Sequence, residues 1–413
     1  MELINKLFKG DKVVWVIFML LCLTSIIEVF SAASALVYSS GDHWAPITQH
    51  CIYLLGGFLV VLVGQNAPMK VFKILSVFLL LFSGIFLIVV IVVGKMINGA
   101  ARWYEILGIP FQPSEFAKMG LIIFTALMLS RMQDKEITAL QAFKAIVGFS
   151  AAFLLLIAPE NLSTALLLAG VIFLMMIVGK MPAKYLLKLV GVFLAVGLLL
   201  VLVLKLVPSE KFDDFGLHRL TTWHSRIDNF MEHKGEVPPD SIDINGKDAQ
   251  MAHANIAIAS SHIIGRGPGN SIERDFLPQA YSDFIYTIII EEFGLVGGVV
   301  VMLLYVFLLI RAGKIARKCD KDFPALLAMG AALMIVSQAM LNMMVAVGLF
   351  PVTGQPLPLI SKGGTSTFIN CGYIAIILSV SRYANKKEAE MKAVENDSEA
   401  EKEAIAAAID EEG

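Results

Sequence analysis

Ten times along this chain a mostly apolar run continues for about the 20 residues that a helix needs to cross a bilayer. The runs fall at 13–35, 49–66, 70–94, 114–131, 141–158, 162–180, 184–206, 284–310, 323–348 and 364–383. Nothing else constrains the fold as much. Lipid supplies no hydrogen bonds, so only helices or closed barrels satisfy their backbone there. Composition agrees, since 57% of the 413 residues are hydrophobic and 16% are charged, against roughly 25% charged in soluble domains. The expected fold is an all-α membrane protein: a polytopic bundle of ten transmembrane helices with a large extracytoplasmic loop between helices 7 and 8. The stretch "VFSAASA" (29–35) resembles a signal-peptide cleavage site. The apolar run before it exceeds the roughly 7–15 residues of a signal core, so it reads as the first helix.

Lys and Arg orient the bundle. With the N-terminus inside, sixteen fall on cytoplasmic segments, and only Lys95, Arg102 and Lys362 fall on short outer loops. Both termini are therefore expected in the cytoplasm, with residues 207–282 as one long outer loop. The chain divides into a membrane domain, 1–385, and a tail, 386–413. The tail holds ten acids and four bases, a net −6 against −2 for the whole chain, which leaves +4 on the membrane domain. No basic block points to nucleic acid. The four cysteines lack metal or redox spacing and read as buried apolar residues.

A charge inside a bilayer costs at least about 2.5–3.5 kcal/mol, so such groups face the interior and find partners. Three outward clusters stand out. In "NGAARWYEILGIPFQPSEFAKMG" (98–120), Arg102 and Trp103 occupy an outer loop, and Glu115 and Lys118 are three apart on one helical face. That pair reads equally as an internal ion pair and as part of an anion site with Arg102. In "LPQAYSDFIYTIIIEEFG" (277–294), Asp283, Thr287 and Glu291 form one stripe at helical spacing and Glu292 points away. Glu291 and Glu292 read as structural. Asp283, at the water boundary, reads either as a helix cap or as a general base. In "GLFPVTGQPLPLISKGGTSTFINCG" (348–372), prolines and glycines argue for a re-entrant or cavity-lining loop. Its end, Gly363 to Ser366, opens the last helix, where free amides favour anions. The Gly-rich "IIGRGPGNS" (263–271) lacks the Lys-Ser/Thr of a nucleotide-binding loop.

Together "GAARWYEILGIPFQPSEFAK", "GRGPGNS", "LPQAYSDFIYTIIIEEFGLVG" and "GLFPVTGQPLPLISKGGTS" resemble the SEDS family of bacterial membrane glycosyltransferases, over about residues 10–383. RodA and FtsW are its elongation and division members, and the "GNS" and the chain length look more like the division type. The resemblance implies polymerisation of lipid II into peptidoglycan strands, at the outer face of the inner membrane. It places Asp283 at the family's essential carboxylate. Arg102, Trp103, Glu115 and Lys118 match its first motif, and Gln338, Asn342, Ser361 and Gly363 match its last. Three positions depart from the family pattern. Tyr281-Ser282 replaces His-Thr, Asn161 stands at an acid position, and Lys362 replaces a frequent Tyr.

The chemistry expected from the resemblance is attack of a sugar hydroxyl on a carrier-linked glycan. Asp283 would act as base, Arg102 and Lys118 would neutralise lipid pyrophosphate, and Mg²⁺ or Mn²⁺ is an optional cofactor. The implied partners are lipid II, a class B penicillin-binding protein and divisome proteins. A lipid II flippase, an elongation-type polymerase and a division scaffold remain as alternatives.

Overall fold

A computed structural model describes residues 7–32, 44–93, 95–97, 100–106, 109–159, 161–206, 249–277 and 279–412 of the chain. Its helices are α1 (Lys12–Ala32), α2 (Ala45–Gly64), α3 (Met69–Val93), α4 (Pro113–Gln133), α5 (Ala139–Ile157), α6 (Leu162–Val178) and α7 (Ala183–Leu206), followed by α8 (Ala249–Ser260), α9 (Ile285–Arg317), α10 (Asp322–Ala346) and α11 (Thr365–Glu412). Among the described residues, eight helices are long and apolar enough to cross a membrane: α1 to α5 and α9 to α11. Helix α6 is apolar but has 17 residues. Helix α11 continues unbroken from its apolar half into the charged tail. The expected outer loop is described only from 249, where α8 and a short 3-10 turn (Glu273–Asp275) precede Asp283; 207–248 lie outside the described residues.

One feature departs from an otherwise helical architecture. Strands β1 (Lys95–Ile97), β2 (Ala100–Ile106) and β3 (Ile109–Phe111) form an antiparallel three-stranded sheet between α3 and α4. Lys95 pairs with Trp103, and Tyr104 pairs with Phe111. These strands are too short for their apolar residues to register as a strand period between two long helical runs. Phe111 pins the end of the sheet, with ring contacts to Phe82 and Phe86 of α3 and Phe116 of α4 at 4.9–5.8 Å.

Helices α4, α10 and α11 form the interior. Buried residues make up 89% of the apolar stretch of α4 and 33% of that of α2, α3 or α5, so the latter three lie at the periphery. Helix α10 packs against α4, α6, α9 and α11, and α3 packs on α4. Local signals place several ends. Thr138 caps α5 in a reciprocal box with Gln141, and Asn161 Oδ1 accepts the Thr164 amide at 3.1 Å to start α6. Asn161 thus does a capping task that needs an oxygen acceptor and no charge.

Helix α9 breaks at Gly294 (φ 72°, ψ −174°), a conformation open to glycine alone. There the chain meets Gly265 (φ 81°) closely: a Cβ on Gly294 would lie 2.2 Å from the Ile263 carbonyl oxygen. The amides of Arg266 and Gly267 donate to the carbonyls of Glu291 and Glu292 at 3.0 and 2.8 Å. The Gly-rich loop is therefore fastened to the break. Gly294→Ala should lower stability by about 1–3 kcal/mol, read as a fall in melting temperature of the detergent-purified protein. Gly148→Ala, in open space on α5, should leave that temperature unchanged or raise it. Equal melting of wild type and Gly294→Ala would contradict the backbone described.

Candidate functional site: a polar relay from Lys118 to Asp283

Helix α10 carries Gln338 and Asn342 one turn apart, so both amides share a face. Both are buried at 1% exposure among apolar neighbours, where an unpaired amide is costly. Gln338 Oε1 accepts from Lys118 Nζ at 2.9 Å, and Gln338 Nε2 donates to the Pro356 carbonyl at 3.0 Å. Asn342 Nδ2 donates to the carbonyls of Asp283 and Gln355, both at 2.8 Å. Gln355 in turn donates to Thr164 Oγ1 on α6 at 2.7 Å. One helical face thus connects α4, α6, the 353–363 loop and the segment carrying Asp283.

Lys118 is 1% exposed and pairs with Glu115 Oε1 at 2.8 Å. Its ammonium is enclosed between Glu115 and Gln338 and does not open to the surface. The two residues form an internal ion pair on one turn of α4. Arg102 and Trp103 lie on β2, and their side chains fall outside the described residues.

Asp283 precedes α9 by two residues, so it lies off the helical stripe expected with Thr287 and Glu291. Two contacts from below set its position. The Asn342 amide holds its carbonyl, and Ser361 Oγ donates to the neighbouring Ser282 carbonyl at 2.6 Å. Ser361 itself accepts the Leu357 amide at 2.7 Å, and the Lys362 amide donates to the Tyr281 carbonyl at 3.0 Å. The Asp283 carboxylate is half-buried and accepts from Ser282 Oγ at 3.0 Å. Burial first, and then the Asp283 charge, raises the Tyr281 pKa. Burial lowers the Lys362 pKa, and its ammonium stands 5.9 Å from the centre of the Tyr281 ring. Gly363 leaves room for Ser366, whose Oγ would lie 2.1 Å from an added Cβ, and its carbonyl accepts from Thr367 Oγ1 at 2.6 Å.

Glu291 and Glu292 are wholly buried and serve the Gly-rich loop. Glu291 accepts from Ser271 Oγ at 2.5 Å and from the amides of Ile272 and Glu273 at 3.0 and 3.3 Å, with Arg266 Nε 3.8 Å away. Glu292 accepts from the amides of Gly269 and Ser271 at 2.9 and 3.3 Å, and from Ser31 Oγ on α1. Backbone amides solvate both carboxylates, which explains how two adjacent acids persist in the interior.

Sequence reasoning missed Thr164, Gln355 and a polar cluster on α1 and α2. In that cluster Ser25 Oγ donates to the Ile360 carbonyl at 2.6 Å and lies 2.8 Å from His50 Nε2. The isolated polar letters in apolar runs were the available signal. Among the described residues, no group of three or more His, Cys, Asp or Glu could hold a metal.

Against this geometry, comparison with known proteins is decisive. The family model described as "Cell cycle protein", for FtsW, RodA and SpoVE, matches residues 11–386. The chain belongs to that family. It is similar to the "Probable peptidoglycan glycosyltransferase FtsW" of Coxiella burnetii, 32% identical over 377 residues, covering 89% of this chain and 95% of that protein. The protein of that name from Burkholderia thailandensis is 31% identical over 389 residues, covering 90% and 78%. Among solved structures, the fold is similar to Thermus thermophilus Rod shape determining protein RodA (TM-score 0.60, 24% identity, 90% and 97% covered). It also resembles a chain from "Structural coordination of polymerization and crosslinking by a peptidoglycan synthase complex" (TM-score 0.68, 24% identity, 91% and 98% covered). With eight helices long and apolar enough to cross a bilayer among the described residues, this family member is a multi-pass protein of the bacterial inner membrane.

Lys118→Met should strand the buried Glu115 carboxylate and cost about 3–5 kcal/mol. Adding Glu115→Gln should restore much of the loss in melting temperature. If Lys118→Met melts like wild type, the pair does not hold α4.

Proposed function

We propose that this chain is a division-type peptidoglycan glycosyltransferase that polymerises lipid II at the outer face of the inner membrane. The relatives of that name, over most of the chain, support the activity. One observation carries the site: the relay grips the backbone of Asp283 and leaves that residue half-buried. Helices α6 and α7 complete ten spans in this reading, with both termini inside, residues 207–282 outside and 386–413 a cytoplasmic appendage. The sixteen-to-three distribution of Lys and Arg supports that orientation.

Asp283 takes the proton of the 4-hydroxyl of an incoming lipid II sugar. The new glycosidic bond forms as the anomeric carbon of the growing strand separates from its undecaprenyl pyrophosphate, which leaves with the bonding pair. Base catalysis of this kind contributes about 10²–10⁴-fold. Developing charge on the pyrophosphate needs cations on the outer side, a part assigned to Arg102 and Lys362, with Trp103 against the substrate. Lys118, enclosed by Glu115 and Gln338, acts through them: it sets α4 against α10 and so the height of Asn342, Ser361 and Gly363 around the aspartate. If Mg²⁺ or Mn²⁺ takes part, the substrate's phosphates must hold most of it, since one carboxylate is a weak site on its own. A class B penicillin-binding protein that crosslinks the strands fits as partner, alongside other division proteins.

Purified protein given labelled lipid II should make glycan polymer. Asp283→Asn should lower the rate by at least about 100-fold while melting like wild type. Polymer from Asp283→Asn at the wild-type rate removes the base from Asp283. Movement of lipid II between vesicle leaflets without polymer from the wild type would favour a flippase instead.

A further inference from the structure

At the end of the bundle opposite Asp283, the helix ends enclose a cavity of about 530 Å³. Asp283 lies at the start of α9 and Lys321 lies just beyond its end, 33 helical residues later. Five cations line the cavity: Lys70 and Lys73 of α3, Lys321 before α10, and Arg382 and Lys386 of α11. Its floor is apolar, from Met69, Phe323 and Pro324.

We propose that this cavity binds the phosphate head group of an anionic phospholipid from the leaflet at that end, with the acyl chains lying on the outer face of α3. The first reason is the placing of the lysines. Helix N-termini carry partial positive charge and normally attract acids. Here Lys70 and Lys73 occupy the first two turns of α3, and Lys321 is the N-cap of α10. Two positive helix ends and three ammonium groups therefore converge, and Asp322 is the one acid in the first turns of those two helices. The second reason is the lack of internal neutralisation. Among the described residues Lys70, Lys73 and Lys321 have no ion pair, and Lys73 instead stands 4.9 Å from the centre of the Phe323 ring. The nearby acids are engaged: Asp320 accepts from Tyr383 at 2.7 Å, and Glu390 takes Lys387 at 2.7 Å and Lys386 at 3.8 Å. Arg382 donates to the Asn66 carbonyl at 2.8 Å, which holds a guanidinium, a group suited to phosphate, at the cavity wall.

The third reason selects a lipid over a soluble phosphate. Above the cations, α3 presents Ile74, Phe78, Leu81 and Ile85 at 61–72% exposure, a continuous apolar stripe at helical spacing. An anion with two chains satisfies the cations and the stripe together. An inorganic phosphate satisfies only the first. Orientation from the charge bias makes this the inner leaflet, and that label alone rests on the function proposed above.

The test is native mass spectrometry of the full chain with phosphatidylglycerol or cardiolipin, against phosphatidylcholine, at physiological ionic strength. Wild type should retain the anionic lipids preferentially. Each lysine near such a surface contributes roughly fivefold, so Lys70→Gln, Lys73→Gln and Lys321→Gln together should weaken retention by about a hundredfold. A control with Lys144→Gln, Lys184→Gln and Lys188→Gln should retain lipid like wild type. Equal loss in the control means general charge attraction and overturns the site. Displacement of the lipid by inorganic pyrophosphate means a soluble anion is the ligand. Lipid binding only after deletion of residues 394–413 means the acidic tail is the occupant. Both of those results also overturn the proposal. Polymerisation by the cavity variant in neutral lipid should match wild type, so failure of the Asp283 reading and failure of this one are separately visible.

Discussion

A side-chain amide buried among apolar helices has no solvent to fall back on, and α10 carries two of them on one face. Gln338 and Asn342 make four hydrogen bonds to three other segments. The 353–363 loop has little regular structure, yet it lies buried because those amides and Ser361 satisfy its carbonyls and amides. Tyr305 on α9 adds a bond to the Pro358 carbonyl. Remove the two amides and the loop loses its reason to sit at that depth. The ion pair on α4 and the perch of Asp283 lose theirs as well.

Three acids near one helix have two different fates, and their surroundings explain the difference. Glu291 and Glu292 are surrounded by amides and hydroxyls of 269–273, which replace water almost completely. Asp283 has its backbone gripped while its side chain stays half-exposed, with the Ser282 hydroxyl donating to its carboxylate. A fully solvated or fully satisfied carboxylate is a poor proton acceptor at neutral pH; an intermediate setting is what base catalysis uses.

Much of this was legible in the sequence. The apolar runs locate the helices because 3.6-residue burial and span length act within one segment. Glu115–Lys118 was legible for the same reason, being three residues apart. The contacts that assemble the site were not. Lys118 to Gln338 spans 220 residues, and Gln355 to Thr164 spans 191, so no local period reports them. The stripe drawn through Asp283 assumed a helix that begins two residues later. The β2 sheet escaped because three- and seven-residue strands between long helices leave no periodic signature. Asn161 was readable as a departure from an acid, but its cap on α6 needed the backbone.

The knot between Gly265 and Gly294 has a mechanical meaning. Residues 262–296 form a bight closed upon itself, cinched by the amides of Leu295 and Val296 donating to the carbonyls of His262 and Ile263 and by the two glutamates. Asp283 hangs at the far bend of that closed turn. The chain leaving α8 meets that cinch first, whereas α10 touches the backbone of the aspartate itself through Asn342.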